Sequence, residues 1–278
     1  MEWQGKLLEP VDKQKETNPS RDAFRIFYAN YDSMSDKFYL ILSGLYDDTH
    51  IYWASRHALS NEDKIERQVP VTRLEMQSVD SSDRHFFSLT IDSERRILYA
   101  CACDRDISIW MLEGYDVVKA FLVGTIECQA DPGKPVNPRF CDFFITSTSN
   151  LRRSSVMSVL TNDDPSLSNQ NGETSPRTTS PTDHKMLILA VSDYINNTVS
   201  LFGVDADAFD SHLEQCQEEQ DPRHILPSKM PLFVKCYVFA NYTDRLKRHV
   251  MNGPCEVAFD PVGNLLVADK NHDRLVVS

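Results

Sequence analysis

The chain has 278 residues, 41% of them hydrophobic and 25% charged, enough to bury a substantial core as one large or two small domains. A net charge of -12 argues against a general nucleic-acid or anionic-membrane surface, because phosphate binding needs clustered Lys and Arg. No stretch approaches the roughly 20 apolar residues that span a bilayer, and "MEWQGKLLEPVDKQKETNPS" is polar where a secretory signal carries its apolar region, so the expectation is a cytoplasmic chain.

In chain order, residues 1–20 form an N-terminal segment, and a β-rich body runs from 21 to 278. The strand pair "FRIFYANY" and "LILSG" is followed by "VPVTRLEM"; "FFSLTID" and "RILYA" are followed by "KAFLVGTI". "FCDFFITST" comes next, then residues 150–185, whose Ser, Thr, Asn and Pro content cannot bury a core and predicts a disordered insertion. After "ILAVS" comes an acidic insertion, 205–224, compatible with a short surface helix, then "PLFVKCYVFA", "CEVAFD" and "NLLVA". The turns "LYDDTH", "CACDRD", "DYINNT" and "DKNHDR" are rich in Asp and Asn, which tolerate left-handed conformations and bond their own backbone.

These elements repeat. Sliding the closing segment back without gaps from Asp269 gives matches anchored on Asp193, Cys101 and Leu45, each preceded by a small residue: Ala268, Ser192, Ala100 and Gly44. Six residues after each anchor stand Leu275, Val199, Ile107 and Ile51; nine before stand Asp260, His184, Asp92 and Asp36. Four antiparallel strands per unit is the content of a propeller blade, so the predicted fold is an all-β propeller with four detectable blades, the fourth short of its last strand. "WQGKLLEPV" is the candidate to supply that strand and close the ring.

The last unit, "GPCEVAFDPVGNLLVADKNHDRLVVS", resembles an NHL repeat at Pro254, Asp260, Gly263, Asn264, Ala268, Asp269, Asn271, His272 and Arg274. The resemblance implies a ring that more often has six blades, and a likeness to the C-terminal propeller of tripartite-motif proteins. It implies a non-catalytic platform that recruits protein substrates to a ubiquitin ligase whose Cys/His-rich RING and B-box fingers are not in this chain. Two alternatives stay open: an RNA-binding propeller that represses messages, and a metal-dependent propeller hydrolase or lyase.

No catalytic or metal-ligating residue is assigned. The eight histidines show neither HExxH nor zinc-finger spacing, the seven cysteines form no CxxC pair, and no nucleophile elbow or phosphate-binding Gly-rich loop occurs. Asp36, Asp92 and Asp260 are read as turn formers, and no cofactor is expected. The candidate partner or RNA contacts are Arg245, Lys247 and Arg248, joined by Lys270 and Arg274. Ser155, which follows two arginines, and Ser175 and Ser180, which each precede Pro, are candidate phosphorylation sites. The expected partner is a protein or RNA; neither membrane nor DNA is expected.

Overall fold

A computed structural model describes residues 25–43, 49–59, 71–77, 85–102, 106–128, 138–147, 184–218, 234–239 and 251–277. Strands β1 (Arg25–Asp32), β2 (Lys37–Ser43), β3 (Thr49–Ser55) and β4 (Thr72–Arg73) form the first sheet, in that order, with the one-turn helix α1 (Arg56–Leu59) after β3. After β5 (Glu75–Gln77) come β6 (Phe86–Asp92), β7 (Ile97–Ala102), β8 (Asp106–Glu113) and β9 (Lys119–Glu127), the second sheet. The third holds β10 (Pro138–Ser147), β11 (Lys185–Asp193), β12 (Thr198–Asp205) and β13 (Val234–Phe239), with helix α2 (Ala206–Glu218) following β12. The fourth has three strands, β14 (Pro254–Phe259), β15 (Leu265–Asp269) and β16 (Arg274–Val277). The first strands of successive sheets pack in series, β1 on β6, β6 on β10 and β10 on β14, as inner strands of propeller blades do. The expected all-β propeller architecture is borne out.

Alternation along each middle strand builds the interfaces between blades, because successive side chains point to opposite faces. In β7 every residue is buried: Leu98, Ala100 and Ala102 join Tyr39, Ile41 and Ile51 of the first blade, while Ile97, Tyr99 and Cys101 join Leu187, Leu189 and Val191 of the third. β11 repeats the scheme, sending Ile188 and Ala190 toward Val257, Leu265 and Val267 of the fourth. A strand sandwiched this way reads as a continuous apolar run, which is how "RILYA" and "LILAVS" stand in the sequence.

Helix α2 begins where the Asp205 carboxylate accepts the Ala208 N–H at 3.0 Å, an N-cap bond. Ala206, Phe209, Leu213 and Cys216 recur at helical spacing and are buried, the last three against the core between the second and third blades. Asp207, Ser211 and Glu214 face solvent, while Asp210 accepts two bonds from Arg95, at 2.6 and 3.1 Å.

Two expectations need correction. "VPVTRLEM" supplies only a two-residue outer strand to the first blade: the Leu74 N–H bonds the Ile51 carbonyl at 2.8 Å, and β5 then runs parallel to β9, covering the second blade's edge. An outer strand leaves an open row of backbone donors and acceptors, and β5 satisfies part of it. The register of the first repeat is also shifted. Asp32, not Asp36, ends its inner strand as Asp92 does, and Ile51 pairs with Ile41 as Ile107 pairs with Cys101. Leu40 and Ile41 therefore occupy the places of Ala100 and Cys101. The connection from Ile41 to Ile51 is four residues longer than that from Cys101 to Ile107, and an ungapped comparison absorbs the extra length as a slip. Gly44 and Leu45 lie outside the described residues, as do residues 1–20.

Candidate functional site

Each inner strand breaks register near its start: between Ile26 and Tyr28, Phe86 and Ser88, Pro138 and Phe140, and Pro254 and Val257. A bulge adds a residue, bends the strand and re-aims a side chain, and here the added residues of the first three blades are Phe27, Phe87 and Arg139. Their side chains form a ladder across the blades. The Phe27 and Phe87 rings stand 6.3 Å apart, and the Arg139 guanidinium lies 4.0 Å from the Phe87 centroid and 5.9 Å from that of Tyr194. Phe27 is 50% exposed, while Phe87, Arg139 and Tyr194 are half-buried.

Tyr194 is held by the close approach of Gly253, where a Cβ would come within 2.8 Å of its ring and within 2.6 Å of the Asn271 side chain. Gly253 also has φ +67, so glycine is required there both for space and for backbone conformation. Its N–H donates to the Asn197 side chain at 2.6 Å.

Beneath the ladder, Tyr28 of the first blade meets Phe140 of the third with ring centroids 5.6 Å apart, while Ser88 stands at the corresponding register position of the second blade. Burial, with Cys141, Glu256 and Asp142 nearby, pushes the Tyr28 phenol well above its ordinary value, so the hydroxyl stays protonated. One layer further in, the inner strands are stitched by side chains. Asn30 Nδ2 donates to the Leu89 carbonyl at 3.4 Å, and the Thr90 hydroxyl donates to Asp142 at 3.1 Å. The Phe259 N–H donates to the other Asp142 oxygen at 2.8 Å. Burial raises the Asp142 carboxyl above the usual range despite these donors. Asp142 thus ties three blades together and has its oxygens engaged.

The aspartates singled out in sequence sit in turns, with Asp32 in the place expected of Asp36. Asp32 accepts from the Met34 N–H at 3.0 Å and the Ser35 hydroxyl at 2.5 Å, and Asp92 from the Arg95 N–H at 3.1 Å. Asp260 accepts from the Val262 and Asn264 N–H groups at 2.9 and 2.8 Å. Asp36 stands at the left-handed position of its turn, φ 53, and pairs with Arg56. At the opposite ends of the blades, Asp193 accepts from the Ile195 and Asn196 N–H groups, each at 3.1 Å. Asp269 is wholly buried and accepts from the Asn252 N–H at 2.6 Å, His272 at 2.9 Å and Arg274 at 2.7 Å. Its burial favours the neutral acid, but those donors outweigh it and hold the carboxyl below the usual range. The small residue Ser192 bonds across blades, its hydroxyl donating to the Cys255 carbonyl at 2.8 Å, and Ala100 is fully buried.

Of the predicted cationic contacts, Lys270 is exposed on a single 3-10 turn, and Arg274 is engaged by Asp269. Arg245, Lys247, Arg248, Ser155, Ser175 and Ser180 lie outside the described residues. Among the described residues no three His, Cys, Asp or Glu converge as a metal site, and no helix is long and apolar enough to cross a membrane. Buried Cys141 lies beside Cys101, and their hydrogen bond together with burial pushes its thiol well up, which suppresses thiolate chemistry. The ladder was missed in sequence because a bulge depends on the partner strand; the recurring signal was only an aromatic or Arg at the second or third position of the first three inner strands, and the fourth has Cys255 and Glu256 there.

No family model matches the chain, and no curated protein matches it in sequence. Among solved structures it is similar to a periplasmic gluconolactonase from Pseudomonas aeruginosa, at 13% identity and a TM-score of 0.45, over 94% of this chain and 52% of that one. The chain spans about half the length of that structure. Its own blades define a β-propeller. Nothing in the comparisons singles out the NHL type among propellers.

Proposed function

We propose that this chain is a non-catalytic interaction platform that engages a protein partner at the end of the inner strands carrying the bulges. The observation that carries this reading is the ladder of Phe27, Phe87, Arg139 and Tyr194, a half-open row of aromatic faces around one guanidinium. Aromatic and Arg side chains are the groups that dominate binding energy at protein interfaces. A rigid sheet scaffold presenting such a row loses little conformational entropy on association. The NHL-like turns of the last blade fit a role like that of the substrate-recruiting propellers of tripartite-motif ligases. The thiols of Cys101, Cys141 and Cys255, none of them in a disulfide, fit a reducing compartment such as the cytoplasm.

RNA binding is the second reading, favoured by the same ladder, since bases stack on aromatic rings and on Arg. The net charge of -12 weighs against it, because a polyanion meets repulsion from the whole molecule. Affinity capture with the intact chain, run with and without nuclease, tests the proposal. The expected result is a nuclease-resistant protein partner that is lost with Arg139→Met; a company that disappears on nuclease treatment contradicts it.

A further inference from the structure

We propose that the ladder is an acid-reading site: Arg139 takes the carboxylate of a Glu or Asp in an extended partner peptide, and an apolar or aromatic neighbour in that peptide lies on Phe27. This rests on the platform reading above and names its ligand chemistry.

Arg139 differs from the other guanidiniums whose contacts are described. Arg56, Arg95 and Arg274 each reach a carboxylate, Arg73 reaches His50, and Arg96 reaches the Gly114 carbonyl as well as the Tyr115 ring. Among the described residues Arg139 meets only the ring faces of Phe87 and Tyr194, and its Nε, like that of Arg96, is shielded from solvent with no hydrogen-bond partner. Arg139 itself is half-buried, and a guanidinium with no acceptor of its own is a group that an incoming oxygen can satisfy. The flanking rings hold the guanidinium plane, so the planar fork that matches a carboxylate is pre-organised. Phe27, half exposed and 6.3 Å from Phe87, extends the apolar surface beyond the charge and calls for an apolar neighbour beside the acid.

Charge favours a peptide over a nucleic acid as the source of the anion. The ladder holds a single guanidinium, whereas phosphate-chain binding draws on several cations. The chain's -12 field repels a polyanion far more than a segment with one or two carboxylates beside apolar residues. A carboxylate paired over aromatic faces is also partly desolvated, which gives it a weaker salt dependence than polyanion binding.

The test is fluorescence anisotropy with the purified full chain and three labelled probes: a pool of short peptides alternating Glu with Phe, Leu or Tyr, the same pool with Gln for Glu, and an oligouridylate. The Glu pool is expected to bind about tenfold more tightly than the Gln pool, the ratio that losing one charge-assisted bond gives. Arg139→Met should abolish that preference at unchanged melting temperature, and Arg139→Lys should restore only part of it. Phe27→Ser, at an exposed position, should weaken the Glu pool several-fold and serves as the second variant if Arg139→Met unfolds the chain. Equal binding of the Glu and Gln pools, no binding of the Glu pool, or an unchanged preference in Arg139→Met overturns the acid reading. Arg139-dependent capture of a protein from an extract, found together with equal binding of the two pools, overturns the acid reading and leaves the platform standing. Oligouridylate binding that is tighter than the Glu pool and lost with Arg139→Met overturns both.

Discussion

Where the first strand turns into the second in the first, second and fourth blades, Asp32, Asp92 and Asp260 accept hydrogen bonds from their own turns, and Arg95 is held between Asp92 and Asp210. At the opposite end the rim turns are closed the same way by Asp193 and Asp269, but the centre is not: bulges turn Phe27, Phe87 and Arg139 into a row with an exposed ring and an unpaired N–H. Polar groups satisfied by their own backbone stabilise the fold and have nothing left for a ligand. The difference separates architecture from recognition, and it can be broken by mutation at either end.

The largest loss is expected at the rim. Asp269→Ala removes the acceptor of the Asn252 N–H, the His272 ring and the Arg274 guanidinium and should cost about 3 kcal/mol, measured by urea unfolding at neutral pH. Asp92→Ala should cost less, about 2 kcal/mol, because Arg95 keeps Asp210. Asp142→Asn should fall within about 1 kcal/mol of wild type and on the stable side at neutral pH, since the amide can still accept from Phe259 while the buried charge is gone. The smallest effect belongs to Arg139→Met, within about 0.5 kcal/mol, because no partner is left unpaired.

Acid separates the two carboxylates in opposite directions. The Asp269 carboxyl is depressed in the folded chain, so its contribution is present above the unfolded value near about 4 and is lost as pH falls below it. Asp142 is raised, so its charged form opposes folding at neutral pH, and that penalty fades as pH falls through its folded value. Wild type compared with Asp269→Ala should therefore converge in stability as pH drops. Wild type compared with Asp142→Asn should converge as well, but from the less stable side. A pair of urea titrations at neutral and acidic pH checks both signs.

Much of the architecture was legible in the sequence, because it rests on local rules. The inner strands "FRIFYANY", "FFSLTID", "FCDFFITST" and "CEVAFD" became β1, β6, β10 and β14, since each carries an apolar alternation ending at a turn signal. The last blade reads most clearly because its motif residues Asp260, Asn264, Asp269, His272 and Arg274 bond one another within their turns. Yet the second blade, where the register places Ala102 at the position of Asp193 and Asp269, is the most deeply buried, as interfaces are built from interchangeable apolar residues and not from the motif. What was not legible depends on distant partners. β5 crosses to β9 because an edge was open there, and the slip in the first blade came from extra residues between β2 and β3. Arg139 reads in "NPRFC" as an ordinary polar residue at a strand start; only the rings of Phe87 and Tyr194, 52 and 55 positions away in sequence, make it a site.

The most direct test captures partners from a cell extract, after nuclease treatment, on three immobilised chains: wild type, Asp92→Ala and Arg139→Met. The same protein partner is expected on wild type and on the less stable Asp92→Ala, and its loss on Arg139→Met at wild-type melting temperature. Retention of that partner by Arg139→Met, or its loss on Asp92→Ala alone, would contradict the assignment of recognition to the bulged end.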